Sequence, residues 1–120
     1  AVLQSDTGAA GQDLVLEAYR MDPRCAPMVT FAADVALSRG DLALADEVTA
    51  YGIEIDPLFA TAWLQRAEHE LAAGDPAAAR AAAEEAARLD ALYPELGDAA
   101  PPDISAQLAD LTSRIEAAGG

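Results

Sequence analysis

Two side chains in this sequence have the chemistry of a nucleophile and its base, and each residue type occurs once: Cys25 and His69. A catalytic thiolate and imidazole also need a third group that orients the imidazole. The sequence offers no local motif for that group. His69 lies between two glutamates in a helical pattern, where an imidazole that is solvated or at the edge of the packing is the ordinary arrangement. Cys25 is interpreted as a small apolar filler. We therefore predict no catalytic residues and no enzymatic activity.

Metal and cofactor sites are not predicted either. A calcium loop needs alternating acids around a central glycine, a zinc site needs paired histidines or several cysteines, and a phosphate loop of the P-loop type ends in lysine. None of these patterns occurs, and the chain has no lysine. Its carboxylates are spread along predicted helix faces, and neighbours such as Glu84 and Glu85 point in different directions. We expect no metal and no cofactor.

The charge balance limits the class of partner. The 120 residues include 21 acidic and 7 basic side chains, for a formal charge of -14. Such a surface repels phosphate backbones and anionic headgroups, so neither nucleic acid nor direct membrane binding is expected. The apolar runs are far shorter than the roughly 20 residues of a membrane-spanning helix. A cytoplasmic location is expected, and the alternative is the extracytoplasmic soluble part of a membrane protein.

The sequence repeats itself with a period of 34 residues. The dipeptide Asp22-Pro23 recurs as Asp56-Pro57, and the dipeptide Gly40-Asp41 recurs as Gly74-Asp75. Apolar residues agree at the same offset in four pairs: Val29 with Trp63, Ala33 with Ala67, Leu37 with Leu71, and Ala45 with Ala79. A repeated supersecondary unit is the usual origin of such a period.

Each unit is predicted to contain two helices, over residues 27–39 and 42–55, and then over residues 60–73 and 76–90. Gly40 and Gly74 suit the left-handed conformation that ends a helix, and the aspartates that follow them suit the N-cap of the next helix. Pro76 fits the first helical position, where its missing N–H costs nothing. The residue before a proline resists the helical region, so Asp56 is predicted to end the second helix of its unit.

The stretch from Ala60 to Asp90 resembles a tetratricopeptide repeat. The matching residues are Trp63 early in the first helix, Ala67 at the crossing, Gly74 and Asp75 at the turn, Ala79 and Ala86 in the second helix, and Leu89 and Asp90 at its end. The stretch from Ala26 to Pro57 is similar to a weaker copy. The resemblance implies an all-α fold, in which antiparallel helix-turn-helix repeats form a short superhelix.

Four residues depart from the family pattern. Arg66 replaces an apolar residue, Thr49 and Ala83 replace bulky side chains, and Gly52 stands where the family prefers alanine. Because a glycine inside a helix is destabilising by roughly 0.5–1 kcal/mol relative to alanine, Gly52 is expected to mark either a tight contact or a weak point.

The period also predicts how the chain is divided. We expect a flexible segment at 1–7, a half repeat with only its second helix at 8–22, repeats at 26–57 and 60–91, a loop at 92–102 and a capping helix at 103–118. The apolar face of the capping helix carries Ile104, Leu108, Leu111 and Ile115. The half repeat leaves one face bare, so we expect that an upstream continuation of the natural protein, residues 1–6 or a second chain covers it.

The resemblance implies that the first helices line a concave groove that binds a partner. Mapped residue by residue, the groove comprises Thr30, Asp34, Leu37 and Ser38 from one helix and Thr61, Leu64, Glu68 and Ala72 from the next, with Phe31 and Gln65 at its margin. Co-chaperone members of the family hold a peptide's carboxylates with Lys, Arg and Asn, which are missing here. The expected ligand is instead a protein or peptide segment with Lys or Arg beside an apolar anchor.

The predicted function is a protein–protein interaction module that works as a scaffold or adaptor. One alternative is a soluble accessory domain of a larger bacterial membrane or envelope protein. Another is self-assembly, in which the exposed first helix pairs with a second copy to form a homo-oligomer.

Overall fold

The computed structural model describes residues 11–92 and 104–119, and in these ranges the chain is all-helical without strands. Its helices are α1 (Gln12–Met21), α2 (Ala26–Arg39), α3 (Leu42–Ile55), α4 (Ala60–Ala72), α5 (Pro76–Asp90) and α6 (Ser105–Ala117). The predicted all-α class is confirmed. The predicted segment 1–7, the start of the half repeat and most of the predicted loop at 92–102 lie outside the described residues.

The turn between the two helices of a unit recurs after 34 residues. Gly40 and Gly74 are left-handed, with φ of 68° and 86°. The carboxylate of Asp41 accepts a hydrogen bond from the N–H of Leu44 at 3.1 Å, and the carboxylate of Asp75 accepts one from the N–H of Ala78 at 3.0 Å. Both predicted glycine caps and both aspartate caps are therefore confirmed.

The turn between units recurs in the same way. Asp22 and Asp56 follow the ends of α1 and α3 with nearly equal dihedral angles, φ −142° and ψ 80° against φ −150° and ψ 79°. Each of the two carbonyls accepts a 3.2 Å hydrogen bond from the N–H three residues later. At the third position the period fails, since Asp90 remains inside α5. Ala91 replaces the proline that would have forced the preceding residue out of the helix.

Alanines occupy the places where the helices come closest. Ala33, Ala67, Ala45 and Ala79 are all buried, each pair one period apart. One apolar cluster joins α1, α2 and α3, and a second joins α4, α5 and α6. All four residues of the predicted apolar face of α6, which are Ile104, Leu108, Leu111 and Ile115, are buried in the second cluster. None of the helices in the described ranges is long and apolar enough to cross a membrane.

Gly52 is buried in α3, but no neighbouring group lies so close that a glycine is required at this position. A Cβ built on it would lie 3.5 Å from Val29 Cγ1 and 3.8 Å from Ala62 Cβ, which are ordinary van der Waals distances. Of the two interpretations from the sequence, the tight contact is therefore wrong, and the glycine is a weak point of the helix.

We expect Gly52→Ala to raise the free energy of unfolding by about 0.5–1 kcal/mol, because alanine restricts the unfolded chain and fits the space. Gly74→Ala is the matched control. It adds the same methyl group where nothing lies within 4 Å but φ is positive, and it is expected to lower stability by about 1–2 kcal/mol. Urea unfolding followed by circular dichroism measures both variants. A destabilised Gly52→Ala protein would show that the space beside Val29 is too small.

Candidate binding groove

A groove of about 810 Å³ runs between α2, α4 and the start of α6. It is lined by Asp34, Leu37, Ser38, Phe59, Thr61, Leu64, Gln65, Glu68, Ile104 and Gln107. Seven of the ten residues that the sequence placed in a groove are among them: Asp34, Leu37, Ser38, Thr61, Leu64, Gln65 and Glu68. Residues spaced three and four apart on α2 and α4 share one helix face, which is why they come together here.

The other three predicted residues lie elsewhere. Thr30 and Phe31 line an adjoining cavity of about 440 Å³, together with Pro27, Asp56 and Phe59. Ala72 is the exposed last residue of α4 and lines neither of these two cavities.

Three groove residues were not anticipated as groove residues from the sequence. Phe59 immediately precedes α4, and the period gave no reason to assign it to the groove. Ile104 was predicted only as part of the apolar face of the capping helix, and Gln107 was not assigned to the groove. Their helix α6 does not continue the 34-residue period, so its position against α4 had no signal in the repeat.

Gln65 joins the two first helices. Its side-chain amide donates to the carbonyl of Thr30 at 3.0 Å and to the carboxylate of Asp34 at 2.8 Å. The side chain is buried, although the sequence placed it at the margin of the groove. The carboxylate of Asp34 is therefore oriented from within the protein, while Asp34 itself stays exposed to the groove.

Glu68, the second predicted acid, is paired with α6. Both of its carboxylate oxygens accept from the guanidinium of Arg114, at 2.6 Å and 3.1 Å. Arg114 also donates to the carboxylate of Asp110 at 2.9 Å. The hydrogen bonds with Glu68 raise the pKa of Arg114 above its usual value. Arg114 thus offsets the charge of Glu68, and Asp34 is the acid of the groove lining that no arginine pairs with among the contacts of the described residues.

A polar cluster lies on the other side of α4, between α3 and α4. The guanidinium of Arg66 donates to the carboxylate of Asp46 at 2.8 Å and to the hydroxyl of Thr49 at 3.1 Å, and it lies 3.3 Å from Glu70. Arg66 and Thr49 were two separate departures from the family pattern. Because they are hydrogen-bonded to each other, they form a single polar replacement of an apolar contact.

His69 belongs to the same cluster and is only 5% exposed, so of the two arrangements expected from the sequence the solvated one is wrong. The residue lies on the face of α4 that packs on α3, and burial of that face overrides the acidic neighbours in the sequence. Its Nε2 is 3.5 Å from carboxylate oxygens of both Asp46 and Glu70, and its Nδ1 has no hydrogen-bond partner.

Asp46, His69 and Glu70 have the spacing of a metal site, since their potential ligand atoms lie within 4.8 Å of one another. The guanidinium of Arg66, however, already contacts both carboxylates. The positive charge that Asp46 and Glu70 attract is therefore supplied by the chain itself.

A double-mutant cycle tests the link between Arg66 and Thr49. We expect Arg66→Met to lower the free energy of unfolding by about 1 kcal/mol, because it removes charge-assisted hydrogen bonds from a partly buried side chain. Adding Thr49→Val is expected to cost less in the Arg66→Met background than in the native protein, with a coupling of about 0.5 kcal/mol or more. The control Arg88→Met breaks an exposed pair within one helix and should leave stability unchanged. Strictly additive effects would contradict the link.

Comparison of the chain with protein-family models, with curated proteins and with solved structures gave no match. The tetratricopeptide family is therefore a hypothesis that rests on the repeat pattern.

Proposed function

We propose that this chain is a tetratricopeptide-like module that binds a protein or peptide segment in the groove between α2, α4 and α6. The observation that carries the proposal is the convergence of seven predicted side chains on one continuous groove of about 810 Å³. Those residues were selected from the sequence as the face of each first helix that the family resemblance places in a groove. Their common surface is what an interaction module of this type requires.

The arrangement of the helices supports the repeat. Both kinds of turn recur at 34 residues with matching hydrogen bonds. Besides packing on the helices next to them in sequence, α2 contacts α4, and α4 contacts α6. First helices that neighbour each other across a unit are what a superhelix of helical hairpins would produce, because each unit packs its first helix on that of the next.

The lining of the groove favours a basic, partly apolar ligand. Leu37, Leu64 and Ile104 provide apolar surface. Asp34 provides negative charge, whereas the charge of Glu68 is paired with Arg114. The ten lining residues include no arginine and the whole chain has no lysine. A segment with Lys or Arg beside an apolar side chain complements this surface, and complementary charge mainly raises specificity and the association rate.

Self-assembly through α1 is a second candidate, favoured by one observation. Leu14 is 66% exposed, whereas Val48 at the equivalent position of α3 is 0% exposed. Met21 on the same face of α1 is 80% exposed, whereas Ile55 and Leu89, one and two periods later, are 37% and 2% exposed. This face is thus more open on α1 than on α3 and α5, and a second copy would be one way of covering it.

Groove binding is tested by selecting peptide ligands for the chain from a random display library and measuring their affinity. We expect the selected peptides to be rich in Lys or Arg beside an apolar residue. We also expect Asp34→Lys to weaken their binding at least tenfold through charge repulsion. Asp34 is preferable to Glu68 as the altered acid. A change at Glu68 breaks an ion pair with Arg114, whereas a change at Asp34 removes one hydrogen bond from Gln65, whose amide still has the Thr30 carbonyl as acceptor. Glu54→Lys, an exposed acid on α3, is the control for the same change of charge. Equal affinity of all three proteins would sink the proposal.

Self-assembly is tested by sedimentation equilibrium at several concentrations. If α1 pairs with a second copy, the native chain will show a dimer that Leu14→Glu abolishes, because a charge on the open face opposes its burial. Glu17→Gln, a change at an exposed acid of the same helix, serves as the control and should leave the dimer intact. A native chain that remains a monomer at every concentration would exclude this candidate.

A further inference from the structure

We infer that the cavity lined by Pro27, Thr30, Phe31, Asp56 and Phe59, here called the socket, holds the apolar anchor of the same basic segment that occupies the groove. The inference rests on the proposed function and adds where the anchor lies. The socket has a volume of about 440 Å³, within the range of about 300–1,000 Å³ that is typical of small-ligand pockets.

The apolar surface of the socket is open. Phe31, which lines it, is 50% exposed. A large apolar side chain that remains this exposed beside a second aromatic residue in a cavity suits the binding of another molecule. The socket is therefore a better candidate for an anchor site than the buried alanine contacts of the core.

The repeat accounts for one of the two aromatic residues of the socket. The chain has two phenylalanines, and both line it. Phe59 has an aromatic equivalent, Tyr93, one period later, whereas one period after Phe31 stands Gln65. Phe31 is thus not a residue that the repeat requires in each unit.

Phe59 connects the socket to the groove, because its side chain lines both. Its backbone is fixed at the start of α4, where its N–H donates to the carbonyl of Asp56 at 3.2 Å and its carbonyl accepts from the N–H of Ala62 at 3.0 Å. The wall between the two cavities is therefore held in place before a ligand arrives, which reduces the entropy lost on binding. A peptide with a side chain in the socket would continue across Phe59 into the groove.

The charges along this path determine the flanking residues of the ligand. Asp56 lies at the socket and Asp34 in the groove, and neither cavity is lined by a basic residue. An acidic ligand would be repelled along its whole length. The ligand class is therefore an aromatic or long aliphatic residue with Lys or Arg within a few positions of it.

Three synthetic nonapeptides test the inference in titrations followed by amide NMR shifts of the full chain. The first alternates serine and lysine around a central phenylalanine, the second has serine at the centre, and the third has glutamate in place of lysine. We expect the first to shift signals of the socket, such as Phe31, together with signals of the groove, such as Leu64. The second should bind at least tenfold more weakly, and the third should shift neither set.

The variant Phe31→Ala is expected to weaken binding of the first peptide at least tenfold, and Phe31→Leu should restore part of the loss. Leu42→Ala is the matched control, because it shortens an exposed apolar side chain of α3 that lines neither cavity. Shifts confined to the groove, with equal affinity for the first two peptides, would overturn the socket inference and leave groove binding intact. Shifts confined to the socket would refute groove binding and the path that joins the two, and an absence of shifts with every peptide would refute both.

Discussion

The close approach of helices across alanine is the constraint on which this fold depends. Ala33, Ala67, Ala45 and Ala79 are buried at equivalent places in the two units, and a longer side chain there would push the helices apart. Such contacts bury little apolar area each. The bulky part of the interior is therefore concentrated where Leu89 meets α6, whose Leu111 and Ile115 are among the largest fully buried side chains. The terminal helix supplies volume that the alanine-rich α5 lacks.

Features set by local chemistry could be predicted from the sequence. The left-handed glycines, the aspartate caps and the helix ends follow from backbone preferences of single residues, and the period repeats them. The apolar face of α6 follows from helical spacing alone. The seven groove residues share one face of each first helix, and the family resemblance indicated which face that is.

Features set by contacts between distant parts of the chain could not be predicted. The pairing of Glu68 with Arg114 depends on where α6 docks, and α6 lies outside the repeat register. His69 is buried because it lies on the face of α4 that packs on α3. Its two flanking glutamates gave no sign of that burial in the sequence. Arg66 and Thr49 looked like two separate flaws because the sequence does not show that they are hydrogen-bonded across two helices. Each of these features involves partners at least 17 residues apart in the chain or burial that only packing decides.

Because Ile104 and Gln107 line the groove, the region at the start of α6 forms one of its sides. A segment bound there contacts the helical units and the terminal helix together, so that detachment of α6 would remove one side of its binding surface. Thermodynamic linkage then requires that occupancy strengthen the docking of α6 by the same factor by which docking strengthens binding. The last helix would thus act as a reporter of occupancy, and any process that captures or cleaves it would be coupled to ligand release.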